Sequence, residues 1–159
     1  MAEPIDVQYA AADDGLPAAS DVRRWAQAAL AGANRNAELT VRIVDEAEIT
    51  QLNQDYRDKP GATNVLAFPA DAPPEAGVHL LGDVVICAPV VAAEARAQGK
   101  PAAAHWAHLV VHGILHLQGL DHQNESQAAE METREVDILA GLGYSNPYEA
   151  GDPAARPGD

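Results

Sequence analysis

The sequence predicts an α+β fold, a small mixed β-sheet covered by helices with one histidine-rich helix in the centre. Short stretches that alternate apolar and polar residues, as strands do, are interleaved with longer stretches of helical period. A length of 159 residues suits a single domain with a sizeable core. We expect one domain over residues 1–145, and a disordered acidic tail over residues 146–159, which are rich in Pro, Gly and Asp.

Four segments predict the strands of this sheet. Residues 5–9 and 39–43 alternate apolar and polar side chains, which is typical of half-buried strands. Residues 65–68 form a short apolar run that a proline ends, and residues 80–87 form a longer one. The Pro-rich, acidic residues 69–78 between them predict an exposed loop.

Five further segments have helical spacing and recognisable ends. Ser20 is the predicted N-cap of the first helix, and Asp45 opens the second as part of a capping box. Pro89 and Pro101 mark the first turns of the next two helices, since the first turn tolerates proline. Asn124 is the predicted cap of the last helix.

The stretch from His112 to His122 reads His-Gly-Ile-Leu-His-Leu-Gln-Gly-Leu-Asp-His and has the spacing of a metal site. On a helix, His112 and His116 are four residues apart and share a face. Gly119 can adopt the left-handed conformation that ends a helix, so that His122 can supply a third nitrogen. Three imidazoles with an open fourth position are typical of catalytic zinc. We therefore predict one Zn²⁺ per chain, bound by His112, His116 and His122 on a central zinc-binding helix.

Three nearby residues are weaker candidates as ligands. His108, His112 and His116 form a row along one helix, but it spans about 12 Å, too far for a single ion. We interpret His108 as a packing or supporting residue and His105 as a surface residue. Asp121 is interpreted as part of the turn or as a support for a ligand.

Two alternative functions follow from the same motif. A zinc metalloprotease would place Glu directly after the first histidine, where this chain has Gly113. A non-catalytic, zinc-stabilised binding module would need a fourth protein ligand, from Cys87 or Asp121. As the single cysteine, Cys87 excludes an internal disulfide, suits a reducing cytoplasm and is expected in the core.

The charge balance limits how the chain can contact nucleic acid. The net charge is −14 with only ten basic residues, so any phosphate contacts must be local. No apolar run is long enough to span a bilayer, and no membrane partner is expected. Six basic residues of the first half are candidates for a shared face: Arg23, Arg24, Arg35, Arg42, Arg57 and Lys59.

The histidine stretch resembles the signature of the YbeY family, His-Gly-x-Leu-His-Leu-x-Gly-x-Asp-His, at every fixed position. Residues 52–59 and 63–69 are similar to the family's Leu-Asn-x-x-Tyr-Arg and Thr-Asp-Val-Leu-Ser-Phe-Pro segments, and residues 81–83 to its Leu-Gly-Asp. The likeness covers roughly residues 4 to 145. Asn64 stands where the family usually has Asp, and Ala67 where it usually has Ser.

The resemblance implies a zinc-dependent endoribonuclease that cleaves single-stranded RNA in the cytoplasm. It also implies a role in rRNA maturation and ribosome quality control, with the small ribosomal subunit as context and no DNA as substrate. Arg57 matches a functional position of the family, and its guanidinium suits a phosphate. The alternative for Arg57 is a solvated arginine that the helix dipole favours at a helix end.

Overall fold

The computed structural model describes residues 4–11, 15–70, 80–120 and 124–148. Within these ranges the chain forms four strands, five α-helices and one short 3₁₀ turn, which confirms the predicted α+β class. In chain order the strands and α-helices are β1 (Ile5–Ala10), α1 (Ala19–Ala29), β2 (Glu38–Val44), α2 (Glu46–Arg57), β3 (Val65–Pro69), β4 (Leu80–Cys87), α3 (Ala88–Gln98), α4 (Ala102–Leu117) and α5 (Glu125–Leu142).

The four strands form one mixed sheet in the order β1-β2-β4-β3. Strands β1, β2 and β4 are parallel, and α1 makes the crossover from β1 to β2. Strand β3 runs antiparallel to β4 and is an edge strand. Ala67 lies opposite Val84, and Phe68 lies opposite Asp83. Because successive side chains of a strand point to opposite faces, one of these pairs points to one side of the sheet and the other pair points to the opposite side.

Each face of the sheet has its own apolar core. Val84 and Ile86 pack into the larger core with residues of α1, α4 and α5. The alternate residues of β4, Val85 and Cys87, pack into a smaller core with α2, through Ile49. The sheet is therefore a partition between the side of α4 and the side of α2.

Helix α4 is the central helix of the fold, as predicted. Twelve of its sixteen residues are buried, including His105, His108 and His112. A helix that is apolar on nearly every side is stable only when it is enclosed by other elements. Among the described helices, none is long and apolar enough to cross a membrane.

The predicted helix starts are confirmed in part. The Asn124 side chain accepts a hydrogen bond from the backbone N–H of Gln127 at 2.9 Å, so this cap is confirmed. The Ser20 cap is wrong, because the N-cap of α1 is Ala18, two residues earlier. Asp45 does occupy the N-cap of α2, but the predicted partner of its capping box, Glu48, binds Arg42 on β2 instead.

Candidate metal centre

His112 and His116 lie one turn apart on α4 with their rings close together. The ring centroids are 6.0 Å apart, and the ring planes meet at 67°. His112 is 2% exposed, whereas His116 is only half-buried and lies nearer the surface. His122, the third predicted ligand, and Asp121 lie outside the described residues. Among residues 4–11, 15–70, 80–120 and 124–148, no three His, Cys, Asp or Glu side chains are grouped so as to hold a metal ion.

Gly113, the residue after the first histidine, is in very close contact with the sheet. A Cβ atom at this position would lie 2.6 Å from Cγ1 and 3.0 Å from Cγ2 of Val84. Val84 is a fully buried, β-branched residue in the middle of the sheet, so it has little room to move. The glycine is therefore required by packing, and a glutamate in its place would collide with β4. This packing argues against the metalloprotease alternative, whose general base would stand here.

Gly119 ends the turn after α4 with a φ of +98°. This value lies in the region that glycine adopts at low cost, and it confirms the conformation predicted for this residue. The chain thus turns away from α4 two residues after the helix ends at Leu117.

A buried carboxylate accepts a hydrogen bond from one ring nitrogen of His112. Nδ1 of His112 lies 2.9 Å from Oε1 of Glu135 on α5, and Glu135 is 1% exposed. An ionised carboxylate can only accept, so Nδ1 donates the proton of this hydrogen bond, and in the neutral form of the ring Nε2 carries the lone pair. Metal-binding histidines commonly donate their second ring nitrogen to a carboxylate, which sets the tautomer and the ring orientation. The donor set at His112 therefore fits a metal ion bound through Nε2.

The second oxygen of Glu135 has two more partners. Nε2 of His108 lies 2.6 Å from Oε2, and the Tyr148 hydroxyl donates to the same oxygen at 2.5 Å. Burial alone would raise the pKa of Glu135, but the hydrogen bonds from His108 and His112 outweigh it and lower the pKa to about 2. Burial also lowers the pKa of His108. Glu135 is thus an ionised acceptor at neutral pH, shared by a neutral His108 and by His112.

His108 has the supporting position that its spacing indicated, since it binds the carboxylate that binds His112. Tyr148, from the segment assigned to a tail, reaches the same carboxylate. Residues 149–159 lie outside the described residues. Sequence reasoning missed Glu135 and Tyr148. A signal for Glu135 was present, because it stands four residues from both Met131 and Leu139, on the buried face of α5.

The prediction that His105 is a surface residue is wrong. His105 is 1% exposed, and its Nε2 lies 2.8 Å from Oε1 of Glu94 on α3. Asn64 donates from Nδ2 to both oxygens of the same carboxylate, at 3.1 and 3.4 Å. An aspartate at position 64 would bring a second carboxylate against Glu94 instead of an N–H donor. The departure Asn64 therefore fits its partner in this chain.

Arg57 is the last residue of α2 and is half-buried. Asp58 follows it in the left-handed conformation, with φ 54°, which ends the helix. The preceding residue, Tyr56, places its ring against Phe68 of β3. Arg57 thus lies at the end of the helix that covers one face of the sheet near the edge strand, and the histidines lie on the helix that covers the other face.

The position of Cys87 bears on the alternative of a zinc-stabilised binding module, which would need a fourth protein ligand. Cys87 is fully buried in the smaller core on the α2 side, as expected of a core residue, and lies across the sheet from the histidines. It is therefore badly placed as a fourth ligand.

The basic residues of the first half do not all lie on one face of the molecule. Arg23 lies on the side of α1, where it donates a hydrogen bond to the Ile5 carbonyl, whereas Arg42 lies on the side of α2. The basic residues of the first half are thus divided between two faces.

Comparisons with known proteins give the same assignment over nearly the whole chain. The family model described as endoribonuclease YbeY matches residues 9–143. Endoribonuclease YbeY of Nitrosococcus oceani is 51% identical over 152 residues, which cover 94% of this chain and 99% of the relative. The solution structure of TM1509 from Thermotoga maritima has a TM-score of 0.56 and 25% identity, and the match covers 94% of this chain and 99% of that one. This chain therefore belongs to the YbeY family of endoribonucleases.

Proposed function

We propose that this protein is a zinc-dependent endoribonuclease that cleaves single-stranded RNA. The observation that carries the proposal is the pair His112 and His116 on one face of α4, with His112 oriented by the buried, ionised Glu135. A hydrogen bond from the second ring nitrogen to a buried carboxylate is typical of a metal-binding histidine, whereas a histidine that only packs in the core does not need one. Membership of the endoribonuclease family supports RNA as the substrate.

In this proposal His112, His116 and His122 would hold one Zn²⁺. Zinc bound in this way supplies a water with a pKa of roughly 7 and polarises a phosphoryl oxygen. Glu135 accepts the hydrogen bond from Nδ1 of His112, so that Nε2 is the nitrogen that would bind the metal. Gly113 lets α4 approach the sheet closely enough to fix the position of the pair.

Arg57 has the role of binding the phosphate that is cleaved. Negative charge builds on the phosphate during cleavage, and a guanidinium can grip it through two parallel N–H donors. Since the protein has a net charge of −14, its contacts with the RNA backbone are few and local, which makes a single arginine at the cleaved phosphate important.

The biological context that we propose rests on the family. It consists of rRNA maturation and ribosome quality control in the cytoplasm, with the small ribosomal subunit as the setting and RNA rather than DNA as the substrate. Within the chain, the proposed domain is residues 1–145, and it is extended to Tyr148 because that side chain binds Glu135.

The metal is tested by measuring zinc content and cleavage together. We expect about one zinc per wild-type chain by mass spectrometry, and a lower metal content after His112→Ala, His116→Ala or His122→Ala. Zinc should also raise the melting temperature of the wild type, because a ligand that binds the folded state stabilises it. Full metal retention in all three variants would contradict the site. Casein serves as the protease control, and zinc binding without RNA cleavage would favour the non-catalytic binding module.

The role of Arg57 is tested by the rate of RNA cleavage. Arg57→Ala should fold and keep its zinc, but lose cleavage of single-stranded RNA by a factor on the order of a hundred, comparable to the loss of one oxyanion donor. Arg57→Lys should recover part of the rate, because an ammonium keeps the charge but not the fork. Wild-type turnover by a zinc-loaded Arg57→Ala protein would show that Arg57 only interacts with the dipole at the end of α2 and does not bind the phosphate.

A further inference from the structure

An open groove lies on the α2 side of the sheet and takes no part in the proposed chemistry. Its volume is about 370 Å³. The floor is formed by residues of the four strands, and one wall by Glu48, Leu52 and Tyr56, which follow one another along one side of α2. Its polar and aromatic lining includes Gln8, Arg42, Glu48, Tyr56, Phe68 and Asp83.

The groove contains an exposed aromatic ring that is held in place by a second ring. Tyr56 is 70% exposed, the largest exposure among the large hydrophobic residues that the structure describes. Its ring centroid lies 5.4 Å from that of Phe68, edge to face at 67°. An aromatic ring that is fixed on one side and open on the other can stack on a planar ligand. Unpaired nucleobases are bound in this way by proteins that recognise single strands.

The charges in the groove favour a base over a phosphate. Arg42 is already committed, since it donates to both oxygens of Glu48 at 2.6 and 3.0 Å and to the side chain of Gln8 at 3.0 Å. The charges of Arg42 and Glu48 cancel, so the carboxylate of Asp83 gives the lining of the groove a net charge of one negative unit. A phosphate would be repelled, whereas a neutral base with exocyclic N–H groups finds acceptors there.

The position of the groove links it to the proposed cleavage site. Tyr56 directly precedes Arg57. Phe68 and Asp83 are register partners on the groove side, and the next pair, Ala67 and Val84, faces α4. Val84 is the residue that Gly113, the neighbour of His112, packs against. The groove and the contact between β4 and α4, the helix that carries His112 and His116, are therefore one register step apart along β3 and β4, on opposite faces.

Because β3 is an edge strand, no other described strand lies along its outer side between the two faces of the sheet. A flexible single strand held at Arg57 can pass this edge and turn a base into the groove, whereas a stiff duplex cannot follow so tight a path. We propose that Tyr56, backed by Phe68, is a stacking site for an unpaired base of the RNA substrate, close to the phosphate that is cleaved. This inference rests on the proposed function and adds the means by which single strands are selected.

The test uses zinc-loaded full-length protein and short single-stranded RNA that carries one 2-aminopurine, placed in turn at each position around the cleavage site. Stacking on Tyr56 should quench the fluorescence at one position, and Tyr56→Ala should abolish this quenching. We expect Tyr56→Ala to raise the KM on the order of tenfold with little change in kcat. Tyr56→Trp should restore both KM and quenching. Tyr9→Ala, which removes an exposed tyrosine outside the groove, is the matched control and should behave as the wild type.

The outcomes separate this inference from the proposed function. If the wild type cuts RNA, and Tyr56→Ala has the same KM and the same quenching, the stacking site is refuted, and a protein partner becomes the better occupant of the groove. A fall in kcat with unchanged KM would also overturn it, because the substitution would then act on Arg57. If the wild type itself neither binds nor cuts single-stranded RNA, the proposed function fails and the stacking site fails with it.

Discussion

On each side of the sheet a glutamate binds nitrogen donors, but the two glutamates lie in opposite environments. On the α4 side, a carboxylate that is 1% exposed binds two buried histidines. On the α2 side, the carboxylate of Glu48 binds Arg42, and both side chains are 37% exposed. Burial makes the first arrangement rigid and costly to disturb, whereas water screens the second. A metal ligand needs a fixed direction, and a recognition surface needs access, so the two faces suit the two tasks proposed for them.

The largest effect that we expect comes from removing the buried carboxylate. Glu135→Ala leaves the donors of His108, His112 and Tyr148 without their acceptor, and we expect a loss of about 3–5 kcal/mol in the free energy of unfolding. Glu135→Gln keeps the shape and one acceptor oxygen, so its loss should be about 1–3 kcal/mol. Urea denaturation measures both values.

Zinc affinity provides the functional readout for the same pair of variants. Glu135→Gln should bind zinc about 10–100-fold more weakly, because Nδ1 of His112 loses a charged acceptor that orients the ring. If Glu135→Gln kept both the stability and the zinc affinity of the wild type, Glu135 would not position the metal ligand.

A smaller effect is expected from the close contact between α4 and the sheet. Gly113→Ala adds a methyl group 2.6 Å from Val84, and this overpacking should cost about 3 kcal/mol in the free energy of unfolding. The better helix propensity of alanine should offset about 1 kcal/mol of that cost. A net loss of about 2 kcal/mol should follow. Gly141→Ala is the matched control, since this helical glycine has nothing within 4 Å of a Cβ, and it should gain up to about 1 kcal/mol.

A second substitution checks the cause of the Gly113 effect. Val84→Ala removes the two methyl groups that the new side chain would meet. In a double-mutant cycle, Gly113→Ala should therefore cost much less in the Val84→Ala background than in the wild type. Equal costs in both backgrounds would mean that the glycine is needed for another reason.

The smallest effect is expected on the exposed side. The hydrogen bond from Arg42 lowers the pKa of Glu48 below its usual 4.5. A lowered pKa in the folded state gives stability that is present above the usual value and is lost as the pH falls below it. Since Glu48 is more than one third exposed, Glu48→Gln should cost no more than about 0.5 kcal/mol at neutral pH. The difference from the wild type should shrink below about pH 4, and a difference that grows in acid would contradict this reading.

Local patterns predicted the strands and the core well. The alternation of side chains in β1 and β2 follows directly from a sheet with two faces, and their bounds differ by only a residue from those expected. The side-by-side arrangement of His112 and His116 also depends only on helical spacing. His122 and Arg57 stay predictions as metal ligand and phosphate ligand.

The missed features depend on partners that are distant in the sequence. His105 was misplaced at the surface because its partner Glu94 lies on another helix, and nothing in the local pattern identifies it. Glu135 was overlooked although it interrupts an apolar face, since the reason for a buried acid becomes visible only with His108 and His112 beside it. In the same way, Glu48 was assigned to a capping box because its ion-pair partner, Arg42, is on a strand.

The contact between Gly113 and Val84 also bears on when the metal-binding pair is formed. A helix seated so closely on a sheet cannot rotate or slide without steric overlap, and twelve buried residues already hold α4 in the core. Folding of this helix therefore does not depend on an ion, in contrast to zinc fingers, which are unfolded without their metal. His112 and His116 are thus already side by side on a fixed helix, so we expect the proposed zinc binding to need little free energy for ordering α4.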